Sequence, residues 1–207
     1  MIDFRCYLIT DRKHTAGRPL VAALQAAAHA GIRAIQLREK DLTPRELFAL
    51  SEEVRGVVEP QGTHLFINDR ADIARAAGLS GVHLTTTGMS PIHARCCLAA
   101  GSRIGVSTHS LAEARFAEEF GADFITFGPV FYTASKAPYG EPRGLQELHD
   151  ICQAVKLPVF ALGGITPERI PDCLDAGAHG VAAISALLNV PDIARAVREF
   201  RDALGGL

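Results

Sequence analysis

Short apolar runs alternate with amphipathic stretches from one end of this chain to the other, and that alternation leaves few folds open. The runs cover 4–10, 34–38, 65–68, 82–84, 103–107, 124–127, 158–162 and 180–184. Each is too short for a core helix and carries the branched and aromatic residues that favour strands. Between them, residues 19–29, 44–58, 91–99, 111–120, 145–154, 167–176 and 192–204 place apolar side chains at three- and four-residue spacing, as helices do. Thr43-Pro44, Ser90-Pro91 and Thr166-Pro167 put a side-chain acceptor before a proline, which marks helix starts. Gly31, Gly78, Gly101, Gly121 and Gly177 mark ends, where a left-handed residue closes a helix.

Eight strands, each leading into a helix, is the count of a (β/α)8 TIM barrel. At 207 residues the chain is near the short end of that class, so its loops are short. A doubly wound open sheet is the competing arrangement. The polar residues favour the barrel, because they cluster just after the strands at several separate points, as one shared active face requires. No linker or low-complexity segment interrupts the pattern, so residues 1–207 read as a single domain.

Charge and hydropathy narrow the partners. A formal net charge of −2 argues against nucleic acid or polybasic membrane binding, which need clustered Lys and Arg. No apolar run approaches a membrane-spanning length, and the N-terminus has no basic start followed by an apolar core. A cytoplasmic location is therefore expected. The five cysteines, Cys6, Cys96, Cys97, Cys152 and Cys173, include no CxxC pair and read as reduced thiols.

The strand ends carry the chemistry. After strand six the chain reads Gly128 to Lys136, with Thr133, Ser135 and Lys136 offering two hydroxyls and an ammonium to anionic oxygens. Strand two ends Gln36-Leu37-Arg38-Glu39-Lys40, and alternation turns Gln36, Arg38 and Lys40 to one side. Two cations and an amide there suit a diphosphate, although Arg38 and Lys40 could instead pair with Glu39 and Asp41. Strand three ends Asn68-Asp69-Arg70, and a carboxylate at a strand terminus can hold Mg²⁺ among waters and phosphates. Asp69 could equally serve as a helix cap, and Asp72 as a first-turn acid. Strand five ends with Ser107, a candidate substrate contact, and His109, a candidate proton carrier that is more often structural. Ser110 with Glu113 reads as a capping box. Strands seven and eight lead into Gly163-Gly164 and Ser185, where barrels commonly hold phosphate.

These residues sum to two anionic subsites, one near strands two, three and six with Mg²⁺ and one near strands seven and eight. No nucleophile and base pair demands a covalent intermediate. Two small phosphorylated substrates meeting in one cavity, with diphosphate leaving, is the simplest chemistry. Catalysis would then be positioning and charge stabilisation.

Eight segments, in order, together resemble the thiamine phosphate synthase family: YLITD (Tyr7–Asp11), QLREKD (Gln36–Asp41), INDRADIA (Ile67–Ala74), GVHL (Gly81–Leu84), GVSTHS (Gly105–Ser110), GPVFYTASK (Gly128–Lys136), ALGGI (Ala161–Ile165) and AAISAL (Ala182–Leu187). The resemblance implies a (β/α)8 barrel that joins hydroxymethylpyrimidine diphosphate to a thiazole phosphate, with Mg²⁺. It implies that Gln36, Arg38, Lys40, Asn68 and Lys136 hold the pyrimidine and its diphosphate, and that Asp69 holds the metal. Ser107 would contact the substrate, Thr133 and Ser135 the thiazole phosphate or the diphosphate, and Gly164, Ile184 and Ser185 the thiazole phosphate. Arg38, Lys40, Ser107 and Lys136 would carry catalysis. Homo-oligomerisation is left open.

One departure matters. Four positions after GVHL the synthases usually carry a second acidic metal ligand, and here that position is Gly88. The same acid-free loop resembles the sister branch, the thiazole tautomerases, and also suits a silent regulatory homologue. That branch carries a histidine where this chain has Pro129, as synthases do.

Overall fold

A computed structural model of the protein describes residues 2–133 and 141–206. Ser135 and Lys136 lie outside the described residues. Eight parallel strands, β1 (Cys6–Ile9), β2 (Ala34–Leu37), β3 (His64–Asn68), β4 (Gly81–Leu84), β5 (Arg103–Thr108), β6 (Phe124–Phe127), β7 (Val159–Leu162) and β8 (Gly180–Ala183), pair in sequence order. The ladder between β1 and β8, with Cys6 opposite Val181 and Leu8 opposite Ala183, closes the sheet. That ladder rules out the doubly wound alternative, which would leave both edges open. The fold is a single (β/α)8 barrel.

Helices α1 (Leu20–His29), α2 (Pro44–Val58), α3 (Ala71–Ala76), α4 (Pro91–Cys97), α5 (Leu111–Glu119), α6 (Gly144–Ala154), α7 (Ile170–Asp175), α8 (Ser185–Leu188) and α9 (Ile193–Ala203) connect and cover the strands. The five glycines at expected helix ends all take positive φ, from 63° at Gly78 to 102° at Gly31. Thr43 caps α2 in a reciprocal box with Glu46. Three other start signals resolve differently. The Ser90 hydroxyl bonds the His93 ring instead of a backbone N–H. Thr166 leads into a 3-10 turn, Pro167–Arg169, with no side-chain cap. Ser110 caps α5, but Glu113 reaches past it to the His109 N–H. The short α3 and α8 span too few turns to show helical periodicity.

Alternation along the strands sorts the core into two. One set of side chains faces the helices and forms the larger cluster, including Leu8, Ile35, Ile67, Val82, Ile104 and Ile125. The other faces the barrel axis, where Phe4, Tyr7, Phe66, Phe124 and Phe160 fill the lower interior. Their rings contact one another at centroid separations such as 5.2 Å for Phe4 and Phe160 and 5.4 Å for Phe66 and Phe124. Asp3 closes the bottom by bonding His64 and Arg103. With the lower half packed, the inward positions nearer the carboxyl ends form the floor of a mouth.

Candidate active site

A cavity of about 440 Å³ opens at the carboxyl ends of the strands. Gln36, Arg38 and Lys40 all line it, as two-residue alternation along β2 and its extension requires. Leu37 and Glu39 face away. Glu39 is buried, accepting from the Thr10 hydroxyl at 2.6 Å and from the Arg12 N–H at 3.1 Å. Asp41 pairs with Arg12 at 2.5 Å and Lys13 at 2.9 Å, and these hydrogen bonds from Lys13 and Arg12 hold its pKa at about 2. Both neighbouring acids are therefore taken by the loop after β1. Among the described residues, no carboxylate lies within ion-pair distance of Arg38 or Lys40. Asp11 lines the same cavity; burial would raise its pKa, but hydrogen bonds from His14 and the Lys13 N–H, with Arg38 nearby, hold it below the usual range.

Next to β2, the end of β3 continues the polar wall. The Gln36 amide donates to Asn68 Oδ1 at 3.0 Å, and the Asn68 amide donates to Asp69 Oδ2 at 3.0 Å. Asp69 takes a left-handed φ of 56°, which turns its carboxylate toward the loop after β4. There Thr85 donates its N–H at 2.7 Å and its hydroxyl at 3.0–3.1 Å. Asn68 and Thr85 line the cavity, and Asp69 is the half-exposed carboxylate between them. A Cβ on Gly88 would lie 2.7 Å from Asp69 Oδ1, so position 88 is beside this carboxylate yet adds no acid. Asp72 is turned to solvent and paired with Arg70. Among the described residues no three His, Cys, Asp or Glu side chains cluster to hold a metal on their own.

Ser107, His109 and Thr133 line the cavity on its other flank. His109 Nδ1 is 2.6 Å from the Gly128 carbonyl, so it donates there and its proton is fixed on that nitrogen. Beneath Ser107, and unassigned by the sequence reading, His83 is wholly buried with Nε2 3.1 Å from the Ser107 Oγ.

Gly163, Gly164, Ile184 and Ser185 complete the lining. The paired glycines have φ of 99° and 64°. Their lack of side chains serves packing as well as ligand approach. A Cβ on Gly163 would lie 2.6 Å from the Pro129 backbone, and one on Gly164 would lie 2.5 Å from the Tyr132 carbonyl. The segment after β6 thus lies directly on the segment after β7, tied by Val130 N–H to Leu162 O at 2.8 Å and Phe131 N–H to Gly163 O at 3.1 Å. Of the expected residues within the described part, all except Asp69 line this one mouth, and Asp69 is bonded to two that do. Thr85 and Asp11 were missed as site residues; Thr85 directly follows β4 and Asp11 lies two residues after β1, the kind of position that marked the others.

Comparison with known proteins finds relatives along nearly the whole chain. Residues 6–187 match the family model described as thiamine monophosphate synthase. A Geobacter sulfurreducens protein named "Putative thiamine-phosphate synthase" is 51% identical over 191 residues, 92% of this chain and 90% of its own. The thiamine-phosphate synthase of Moorella thermoacetica is 38% identical over 204 residues, covering 99% of this chain and 97% of its own. The solved structure of a thiamine phosphate pyrophosphorylase from Pyrococcus furiosus superposes with a TM-score of 0.88 at 34% identity, over 97% of this chain and 95% of that one.

Proposed function

The chain belongs to the thiamine monophosphate synthase family, and from that premise we propose that it couples hydroxymethylpyrimidine diphosphate to hydroxyethylthiazole phosphate, giving thiamine phosphate and diphosphate. The observation that carries this reading is one mouth with cations on one side of β1 and small polar turns on the other. Arg38 and Lys40, which make no ion pair among the described residues, suit the diphosphate. Gly164, Ile184 and Ser185 suit the phosphate of the second substrate.

In the proposed reaction the bond between the pyrimidine methylene carbon and diphosphate oxygen breaks, and the electron pair leaves on the diphosphate. The thiazole nitrogen then forms the carbon–nitrogen bond with its own lone pair, so this step requires no proton transfer. Arg38 and Lys40 stabilise the departing charge, as preorganised donors do at lowest reorganisation cost. Gln36 and Asn68, locked to one another, orient the pyrimidine. Lys136 and Ser135 belong to the same proposal.

Mg²⁺ fits the donor chemistry in one form. Asp69 supplies one carboxylate, Gly88 supplies none and Asp72 is paired elsewhere. Mg²⁺ is commonly held by one or two carboxylates with waters and substrate phosphates, so Asp69 would share it with the diphosphate. When bound, the ion would add charge neutralisation at the leaving group.

The test is incubation of purified protein with both substrates and Mg²⁺. Thiamine phosphate and diphosphate are expected in equal amounts, and no product at high enzyme concentration rejects the proposal. Asp69→Asn keeps an acceptor for the Thr85 N–H and should abolish turnover with the fold intact; near-normal turnover would remove Asp69 from the metal role. The acid-free loop at Gly88 favours a second reading, a thiazole tautomerase or silent homologue. It requires isomerisation of a thiazole phosphate carboxylate without metal or pyrimidine, or ligand binding with no turnover.

A further inference from the structure

Tyr7, His83 and Ser107 stand in line from the closed interior of the barrel to the floor of the mouth. His83 Nδ1 is 3.4 Å from the Tyr7 hydroxyl, and Nε2 is 3.1 Å from Ser107 Oγ. Gly105, opposite His83 in the β4–β5 ladder, makes the space: a Cβ there would lie 2.5 Å from His83 Nδ1. Ser107 follows Gly105 on the same face of β5.

The protonation of this chain follows from burial. His83 is wholly buried, and among the described residues its ring nitrogens meet only the Tyr7 and Ser107 hydroxyls and no carboxylate, so the ring is neutral and has one N–H and one lone pair. Burial also pushes the Tyr7 phenol well above its usual value, so it keeps its hydrogen. The Tyr7 ring is enclosed by Phe4, Phe66, Phe124 and Phe160. Among the described residues His83 is the only acceptor its hydroxyl has. A buried O–H without an acceptor is costly, so Tyr7 donates to Nδ1. The ring proton is then on Nε2, which donates to Ser107 Oγ. Ser107 is left with its own hydrogen free to turn into the cavity that it lines.

We infer that Tyr7 and His83 are positioning residues that keep the Ser107 hydroxyl from being spent on His83 and so leave its O–H for the ligand, with an acceptor of the ligand seated against it. On the proposed function, which this inference deepens, that acceptor is a lone pair of a pyrimidine ring nitrogen.

Nitrogen-15 NMR of the histidine-labelled protein tests the assignment without any ligand. The expected His83 spectrum shows a protonated Nε2 and a bare Nδ1, unchanged from about pH 5 to 8. In Tyr7→Phe, Nδ1 should move downfield toward a free imine nitrogen while Nε2 keeps its proton. A proton on Nδ1, or an unmoved Nδ1 resonance in Tyr7→Phe, overturns the inference. The ligand arm uses analogues of the pyrimidine diphosphate with each ring nitrogen replaced in turn by C–H. One of them should bind about tenfold more weakly to the wild-type protein and no more weakly to Ser107→Ala. Unchanged binding of both to the wild-type protein overturns the acceptor assignment. A protein with the expected spectra that binds no pyrimidine keeps Ser107 as a donor and loses the proposed function instead.

Discussion

Gly105 lacks a side chain where the His83 ring and the Phe124 edge already fill the space, at 2.5 and 2.4 Å from any Cβ. Gly105→Ala should therefore destabilise the fold by about 1–3 kcal/mol, read as a lower urea midpoint with unchanged slope. His83 also makes the fold acid-sensitive. Its folded pKa of about 3 lies below the ordinary imidazole value of about 6.5, so between those values the unfolded chain binds a proton that the folded one refuses. Its contribution is complete above pH 6.5 and is lost as pH falls, at up to about 1.4 kcal/mol per unit. Tyr7, Ser107 and the Arg38 charge face the ring, and none offers it a counter-charge. The stability gap between the wild-type protein and His83→Gln should shift in favour of the variant from pH 7 to 4; a constant gap would mean that His83 titrates normally. None of this stood out in the sequence. All four residues of β4 are buried, so no polar face announces which of them points inward.

At the level of elements, the strand ends were legible because two-residue alternation places Gln36, Arg38 and Lys40 together whatever the rest of the fold does. The caps were less so. Thr43 behaves as its sequence suggests, and Thr43→Ala should cost about 1 kcal/mol by thermal or urea unfolding. Ser90 has the same Ser-Pro signature, but a histidine one turn on captures its hydroxyl. The double glycine was read as room for phosphate, and packing adds a reason that sequence alone cannot show: the chain after β6 lies across it. Gly163→Ala combines a φ of 99° with a 2.6 Å approach to the Pro129 backbone. It should destabilise the protein by about 1–3 kcal/mol and weaken thiazole phosphate binding in calorimetry. Normal stability and affinity would show that the two loops can part freely.

For the whole molecule, barrel closure was readable from eightfold repetition, which is a global property and tolerates errors of a residue or two at each boundary. The pairing of charges was not readable, because Arg12 and Lys13 reach from the loop after β1 to Glu39 and Asp41 and so leave Arg38 and Lys40 to the cavity. Everything proposed rests on that division of charge within a single mouth. The direct measurement is calorimetry of inorganic diphosphate and thiazole phosphate, alone and together, with Mg²⁺ present. Both ligands should bind at once, and Arg38→Ala should weaken diphosphate about 10- to 100-fold, the loss of a charged hydrogen bond, with thiazole phosphate nearly unchanged. Mutual exclusion of the two ligands, or a diphosphate affinity indifferent to Arg38, would contradict the account.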